Sequence, residues 1–172
     1  MSATFVSEAI SAHHNAEQFM SGKPSLDSWL RSHALTTEAK GVSRTFVWHE
    51  DLQVVAYYST AAHLLQRQAL PDRIAKGNPN QIPAIMLGRL ALDKTLQGQG
   101  LGSVLLVDAL HRILDATKAV GARFVVVDAI DPNAAGFYAR YGFTKIPETM
   151  RLVQKISAIQ AAITGSPSSQ SS

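Results

Sequence analysis

The chain has 172 residues, 46% of them hydrophobic, and a formal net charge of +3 at pH 7, which suits one well-packed domain and is too short for two. It contains no cysteine, so disulfides, thiolate metal sites and a cysteine nucleophile are excluded and a reducing compartment is favoured. No signal-peptide pattern or long apolar run stands at the N-terminus, and we therefore expect a cytoplasmic protein without a membrane span.

The first half of the chain predicts short strands and helices. Alternating apolar residues predict a strand over residues 4–9, and residues 13–20 are compatible with a helix. Ser25 has the side chain of an N-cap, and the spacing after it predicts a helix over residues 25–40 with Trp29 in the core. Residues 44–49 and 53–59 predict a hairpin, and residues 61–82 predict an irregular loop.

The second half predicts a central strand over residues 83–92, a helix over residues 100–120 that ends at Gly121, and a strand over residues 123–129 that is covered on both faces. A short helix with Pro132 in its first turn and strands over residues 142–145 and 150–156 follow. The pattern predicts an α/β fold with a mixed central sheet flanked by helices, in a single domain of residues 1–160. The polar tail, residues 161–172, is expected to be disordered.

A glycine-rich turn joins the central strand to the long helix. Gly98, Gly100 and Gly102 lie at the start of the helix, where backbone N–H groups can approach a ligand closely because no Cβ intervenes. The helix N-terminus adds unpaired donors and partial positive charge, which suits a pyrophosphate. The spacing fits neither the dinucleotide-binding fingerprint nor the phosphate-binding P-loop, and a tight connection without a ligand is the alternative.

The strand and turn resemble the acetyl-CoA signature of the GNAT family of N-acetyltransferases, because Gln-x-x-Gly-x-Gly follows a Leu-Ala-Leu strand end. The resemblance implies a GNAT fold, in which the signature's backbone amides hold the pyrophosphate of acetyl-CoA and the strand binds its pantetheine arm. The cofactor-binding residues implied are Leu90, Ala91, Leu92, Gln97, Gly98, Gln99, Gly100, Leu101, Gly102 and Ser103.

A second landmark of the same family lies around residue 138, in the run Phe-Tyr-Ala-Arg-Tyr-Gly-Phe. The resemblance implies that Asn133 and Phe137 flank the CoA thiol and that Tyr138 is the general acid. A phenol with a pKa of about 10 stays protonated near neutrality and can protonate a departing thiolate with a pKa of about 8.5. The alternative is a core position for Tyr138, with its hydroxyl bonded to the backbone.

A general base is harder to find. The candidates are Asp93, Asp108, Asp128 and Asp131, of which Asp108 is expected to face solvent and Asp131 fits a helix cap. A lysine amine, with a pKa of about 10.4, is neutral in roughly one molecule in a few thousand at pH 7, whereas an α-amine with a pKa of about 7.7 to 8.0 is neutral roughly a tenth to a fifth of the time. The scarcity of bases therefore favours an α-amine acceptor.

Positive charge is concentrated just upstream of the glycine-rich turn. Residues 60–90 hold four basic residues against Asp72 alone, while the remainder of the chain has equal numbers of basic and acidic residues. Phosphate neutralisation dominates nucleic-acid affinity, so this segment can bind RNA, although an ordinary solvated loop is the alternative. The four residues are Arg67, Arg73, Lys76 and Arg89.

Further segments, among them Leu-Asp-Ser-Trp-Leu from Leu26 and Leu-Gly-Arg-Leu-Ala from Leu87, resemble the acetyltransferase toxins of bacterial toxin–antitoxin modules. The resemblance implies acetylation of the α-amine of aminoacyl-tRNA, inhibition of translation, a ribbon-helix-helix antitoxin and a homodimer. It makes the four basic residues candidates for tRNA binding. The alternatives are an acetyltransferase acting on a small-molecule amine or a protein N-terminus, and a CoA-binding regulatory subunit.

The six histidines show no spacing typical of a metal site, and we expect no metal to be bound.

Overall fold

The computed structural model describes residues 4–164. Its strands are β1 Glu8–Ala9, β2 Arg44–Glu50, β3 Gln53–Gln66, β4 Gln81–Leu92, β5 Phe124–Asp128, β6 Thr144–Lys145 and β7 Arg151–Lys155. Its helices are α1 Pro24–Ser32, α2 Ala34–Ala39, α3 Asp72–Ala75, α4 Leu101–Ala116, α5 Pro132–Arg140 and α6 Ile156–Thr164. Within these residues no helix is both long and apolar enough to cross a membrane.

The strands form a seven-stranded sheet in the order β1-β2-β3-β4-β5-β7-β6. β4 and β5 are parallel, and β1, β2, β6 and β7 each pair antiparallel with a neighbour. The predicted α/β class with a mixed sheet is therefore confirmed. The chain divides into two compact units, the first comprising the chain up to Ala61 with Gly88–His111 and the second Ala62–Leu87 with the chain from Arg112 onwards.

The core of the first unit is built on the β2–β3 hairpin, which the sequence predicted. Residues 54–59 of β3 are all buried, the pattern of a strand covered on both faces. The turn residues Asp51 and Leu52 have φ of 48° and 69°, as a two-residue hairpin turn matched to the strand twist requires. The buried apolar cluster of this unit comprises Ile10, Phe19, Leu30, Ala34, Val47, Val54, Tyr57 and Ala91.

The predicted helix over residues 25–40 is two helices, and it begins at Pro24. Lys23 is the N-cap residue and makes no side-chain capping bond, so Ser25 is not the cap. Proline is favoured at the first helical position because its fixed φ matches the helix and its missing N–H would have no partner there. α1 ends at Ser32. Its C-cap residue, His33, leaves the helical region with φ of −126°, and α2 begins at Ala34.

Regular structure before α1 is shorter than predicted. The strand expected over residues 4–9 is limited to β1, and residues 13–20 form turns in place of a helix. The side chain of Asn15 accepts the backbone N–H of Glu17 at 2.9 Å, a local turn that competes with a helical ladder.

The region predicted as an irregular loop, residues 61–82, is mostly ordered. β3 continues to Gln66, a 3₁₀ turn spans Arg67–Ala69, α3 follows, and β4 begins at Gln81. Leu65, Leu70 and Ile82 hold this segment in place, because all three lie in the apolar cluster of the second unit. The free energy gained by burying these side chains therefore outweighs the preference of the intervening glycine and prolines for turns.

β5 lies at the centre of the second unit. It pairs in parallel with β4 from Ala84–Phe124 to Leu87–Val127, where the pairing stops, and antiparallel with β7. Residues 124–127 are all buried, which confirms the prediction of a strand covered on both faces. The short helix predicted after Pro132 is α5, and the two predicted strands after it are β6 and β7.

Two helix ends differ from the prediction. α4 stops at Ala116, earlier than Gly121, because the N–H groups of Lys118 and Ala119 bond carbonyls three residues back, which tightens the last turn. α6 was not predicted; its Ile159 is buried, and it includes residues 161–164, which we had assigned to the tail. Residues 165–172 lie outside the described residues.

Two histidines tie β1 to the hairpin. Glu8 Oε1 lies 2.7 Å from His14 Nε2 and 2.6 Å from His49 Nε2. Nδ1 of His14 accepts the N–H of Ser11 at 2.9 Å, and Nδ1 of His49 accepts the N–H of Leu52 at 3.2 Å. Each Nε2 therefore carries the proton and donates it to the carboxylate. The hydrogen bonds from His14 and His49 lower the pKa of Glu8 below its ordinary value of 4.5.

This geometry predicts how Glu8→Gln changes stability. A lowered pKa in the folded state stabilises the fold above pH 4.5, and that contribution is lost as the pH falls through the lowered pKa. The melting temperature of Glu8→Gln should therefore lie below that of the wild type at pH 7, and the gap should narrow below pH 4.5. Glu17→Gln, at an exposed glutamate, is the control. A gap that did not change with pH would contradict this assignment.

Candidate functional site

The glycine-rich turn has the open geometry expected of a cradle. Asp93 caps a 3₁₀ turn at Lys94–Leu96 by accepting the N–H of Thr95, and α4 begins shortly afterwards. Gly98 and Gly100 have φ of 79° and 76°, a region that L-residues rarely adopt. A Cβ added at either glycine would meet no atom within 4 Å. The two glycines thus leave open space where a side chain would otherwise stand.

Hydrogen bonds from Gln97 hold this turn in place. Its side-chain Nε2 donates to the carbonyl oxygens of Ser21 at 2.7 Å and of Leu92 at 2.9 Å. Its own N–H donates to the Lys94 carbonyl at 3.2 Å. Both nitrogens of Gln97 are therefore engaged within the protein. Among residues 4–164, the N–H groups of Gly98, Gln99 and Gly100 make no hydrogen bond to the backbone outside regular elements, and those of the first turn of α4 lack intrahelical acceptors. These are the donors left for a ligand.

The strand end before the turn contributes backbone only. Ala91 is buried in the apolar cluster of the first unit, and Leu90 and Leu92 are half-buried. A ligand along this strand can meet the peptide groups of residues 90–92, because no polar side chain is available there.

Tyr138 lies in the second unit, on the buried side of α5. Its ring packs edge-on against Phe137 and Phe143, with centroid distances of 5.3 and 5.7 Å. Only 7% of the residue is exposed, and burial raises the pKa of the phenol above its ordinary value. Within residues 4–164 its hydroxyl has no hydrogen-bond partner, so the expected alternative of a core tyrosine bonded to backbone does not apply. The phenol is thus buried, and no described residue accepts its proton.

The helix that carries Tyr138 is fixed at both ends. Asp131 accepts the N–H of Ala134 at 2.8 Å, the predicted cap. Gly142, with φ of 94°, reverses the chain after the helix, and a Cβ there would lie 2.6 Å from the side chain of Gln154. Asn133 is exposed in the first turn of the same helix, and Phe137 is half-buried.

Three of the four candidate bases are committed to structural hydrogen bonds. Asp131 is the helix cap. Burial raises the pKa of Asp93, but hydrogen bonds from Thr95 and Met20 outweigh it and leave the pKa lowered. Asp128 receives two hydrogen bonds from Arg151, at 2.7 and 2.8 Å, which lower its pKa.

Asp108, expected to face solvent, is instead half-buried. Its Oδ2 has no hydrogen-bond partner in the part of the chain that the structure describes.

The four basic residues are divided between the units. Arg73 and Lys76 are exposed on and after α3 in the second unit. Arg67 also lies there. Its guanidinium donates a hydrogen bond to the Asn78 carbonyl at 2.7 Å and so joins the two ends of the segment that contains α3. Arg89 belongs to the first unit, where its guanidinium carbon lies 4.0 Å from the centroid of the Trp29 ring. Sequence spacing alone could not separate these environments.

The histidines are less scattered than the sequence suggested, since Glu8, His14 and His49 place three ligand-type atoms within 4.8 Å of one another. Metal-bound imidazole nitrogens are unprotonated, and the other ring nitrogen usually donates a hydrogen bond. In both rings here the other nitrogen accepts a backbone N–H. The donor pattern fits a carboxylate clamp and does not fit a metal centre.

A second network unites His63 with the Asp128–Arg151 pair. Arg151 Nη1 lies 3.3 Å from His63 Nε2, and burial, helped by Arg151, lowers the pKa of His63. Sequence reasoning missed this network because its members lie on three strands far apart in the chain.

Comparison with known proteins bears on the family of the whole chain. Residues 27–163 match a sequence model of the acetyltransferase (GNAT) domain. The chain is 38% identical over 147 residues to a protein of Mycobacterium tuberculosis named tRNA-acetylating toxin, covering 86% of this chain and 89% of that protein.

Two solved structures share the fold. AtaT complexed with acetyl-methionyl-tRNAfMet superposes with a TM-score of 0.84 at 28% identity, covering 94% of this chain and 100% of that one. AtaTR bound with AcCoA has a TM-score of 0.81 at 27% identity and covers 93% and 98% of the two chains. Since the domain model spans most of the sequence and a close relative matches nearly all of it, the chain belongs to the GNAT family of acetyltransferases.

Proposed function

We propose that this protein is a toxin that transfers an acetyl group from acetyl-CoA to the α-amine of aminoacyl-tRNA and thereby inhibits translation. The observation that carries the proposal is its 38% identity, across nearly the whole chain, to a relative named tRNA-acetylating toxin. The open turn, the buried phenol and the exposed basic segment support it with chemistry that the reaction needs.

Acetyl-CoA is held by peptide groups in this proposal. The N–H groups of Gly98, Gln99 and Gly100, and of Leu101, Gly102 and Ser103 in the first turn of α4, bind the pyrophosphate, where the helix dipole favours negative charge. The backbone of Leu90, Ala91 and Leu92 binds the pantetheine arm. The positive φ at two glycines fits this ligand, because a side chain there would be strained and would fill the cradle. When bound, acetyl-CoA supplies the activated acetyl thioester.

Tyr138 acts as the general acid. Because burial raises its pKa, the phenol is fully protonated at neutral pH and holds a proton for the departing thiolate. Packing between Phe137 and Phe143 keeps the ring in one orientation. Asn133 and Phe137, on the same helix, flank the CoA thiol.

The acceptor is an amine that needs little help to lose a proton. Asp93, Asp128 and Asp131 are engaged elsewhere, and the two whose pKa values are lowered are poor bases. Of the four candidates, Asp108 alone keeps a buried oxygen that no described residue bonds. An α-amine is partly neutral at physiological pH, whereas a lysine amine is not. The amine of an aminoacyl ester therefore suits this set of residues.

The tRNA backbone is bound by the exposed cations of the second unit, Arg73 and Lys76, with Arg67 at the same segment. As part of this proposal the protein works in the cytoplasm as a homodimer and is held inactive by a ribbon-helix-helix antitoxin.

Gly100→Val tests the cradle. The substitution should abolish acetyl-CoA binding measured by calorimetry, because the new side chain occupies the space beside the donors. Gly41→Val is the matched control, since Gly41 has φ of 71° and a Cβ there also meets no atom within 4 Å. Both variants carry similar backbone strain, so equal loss of binding, or none in either, would remove the cradle assignment.

Tyr138→Phe tests the general acid, because it removes one hydroxyl and almost no volume. Acetyl-CoA affinity should persist while kcat falls roughly 10²- to 10⁴-fold, and toxicity on expression should disappear. Tyr141→Phe, at an exposed tyrosine, is the control and should keep its rate. Full activity of Tyr138→Phe would transfer the role to water or to Tyr141.

Charge reversal tests the acceptor. Arg73→Glu with Lys76→Glu should raise KM for charged tRNA and leave acetyl-CoA affinity unchanged, and the wild-type rate with charged tRNA should fall steeply as salt rises. The control is Lys40→Glu with Lys145→Glu, which makes the same charge change at other exposed sites. Acetylation of free amines as efficiently as charged tRNA, without salt dependence, would favour the small-molecule alternative.

A further inference from the structure

Arg89 is held by an aromatic stack in the first unit. Its guanidinium carbon lies 4.0 Å from the centroid of the Trp29 ring. Trp29 in turn lies nearly parallel to Tyr57, with an angle of 10° between the rings and 6.0 Å between centroids. A planar cation over an indole face gains cation–π attraction, and its N–H groups remain directed outward from the ring edge.

This guanidinium has no anionic partner among the described residues, in which it makes neither a hydrogen bond nor an ion pair. The acidic group of the neighbouring helix is committed, since buried Asp27 accepts hydrogen bonds from the N–H and hydroxyl of Ser21 at 3.0 and 2.6 Å. The hydroxyl of Tyr57 donates to the Leu26 carbonyl at 2.6 Å.

The environment makes the missing partner significant. Arg89 is half-buried, and burial lowers the pKa of its guanidinium, with only Tyr57 opposing. A partly desolvated guanidinium with five donors that no described residue accepts is stabilised when a ligand anion supplies the acceptor. The stack on Trp29 therefore prepares a donor set that the folded protein itself does not satisfy.

The place of Arg89 along β4 indicates where the acceptor comes from. On the proposed function the pyrophosphate binds at residues 98–103 and the pantetheine arm runs back along residues 92 to 90. Arg89 then follows at the end where the thioester lies, on the far side of the strand segment from the CoA phosphates. An anion at Arg89 is therefore more naturally provided by the acceptor substrate.

We propose that Arg89, oriented by Trp29, binds a phosphate of the tRNA acceptor end, the 5′-phosphate of the terminal nucleotide, which is the phosphate nearest to the aminoacyl group. The planar guanidinium can contact two phosphate oxygens at once and so fixes both position and orientation of the ester. Trp29 is a positioning residue that acts through Arg89. This inference rests on the proposed function, because it needs charged tRNA as the substrate.

The test compares four variants, Arg89→Lys, Arg89→Met, Trp29→Leu and Arg89→Met with Trp29→Leu, after thermal denaturation has shown that each is folded. Arg89→Met should raise KM for charged tRNA about tenfold or more, lower the salt slope of kcat/KM by about one and leave acetyl-CoA affinity unchanged. Arg89→Lys keeps charge and most of the packing, and should raise KM by a smaller factor because it cannot bond two oxygens.

Trp29→Leu separates positioning from mere packing. Alone it should raise KM for charged tRNA, but in the Arg89→Met background it should add nothing, since its effect passes through the guanidinium. Full additivity of the two substitutions would show that Trp29 is structural and would overturn its role.

Two further outcomes overturn the proposal. If Arg89→Met lost acetyl-CoA affinity while its KM for tRNA stayed unchanged, the anion bound by Arg89 would be a phosphate of CoA. Unchanged KM and salt slope in Arg89→Met, while the wild type acetylates charged tRNA, would remove Arg89 from the tRNA site and leave the proposed function standing. A wild type that does not acetylate charged tRNA would refute the proposed function itself, and this inference with it.

Discussion

The turn between β4 and α4 depends on a backbone conformation that only glycine adopts without strain. Gly98 and Gly100 both have positive φ, so the chain can enter the helix without strain and with open space where side chains would otherwise stand. Hydrogen bonds from Gln97 to two carbonyl oxygens hold that conformation from the protein side. The result is a set of donors positioned before any ligand arrives, which is the condition under which backbone groups bind an anion well.

The distribution of polar partners supports a division of roles among the titratable groups. The phenol of Tyr138 is desolvated and unbonded within residues 4–164, whereas Asp93, Asp128 and Asp131 each accept hydrogen bonds that stabilise their charge or a helix end. A group with a raised pKa retains its proton, and one with a lowered pKa gives up basicity. Among the described candidates, Tyr138 is thus the proton donor, and Asp108 is the one carboxylate that keeps a buried, unpartnered oxygen.

Local signals predicted much of the fold. The hairpin, the central strands, the turn and α5 follow from periodicity, capping and glycine placement within a few neighbouring residues, and the structure confirms them. The errors arose where a distant contact or an overlooked local preference decided the outcome. Residues 61–66 extend β3 because Leu65 is buried in the second unit, and Pro24 rather than Ser25 begins α1 because the first helical position favours proline.

The candidate site shows the same contrast between local motifs and distant contacts. The two family landmarks depend on short motifs, so the glycine-rich turn and Tyr138 could be proposed as site residues from the sequence. The stack of Arg89 on Trp29 and the clamp of Glu8 between two histidines could not, because each joins residues from separate elements. Composition placed Arg89 with the other cations, and only its neighbours distinguish it.

The bond from Gln97 to the Ser21 carbonyl joins the glycine-rich turn to the segment that precedes α1. The Met20 carbonyl accepts the N–H of Lys94, and Asp93 accepts the N–H of Met20, so the two segments share three hydrogen bonds. Local opening of either segment must break the bonds of both, which makes them one cooperative unit. A ligand that bound this turn would therefore also slow amide hydrogen exchange around residue 20, and it would thereby order the segment that leads into the helix that carries Trp29.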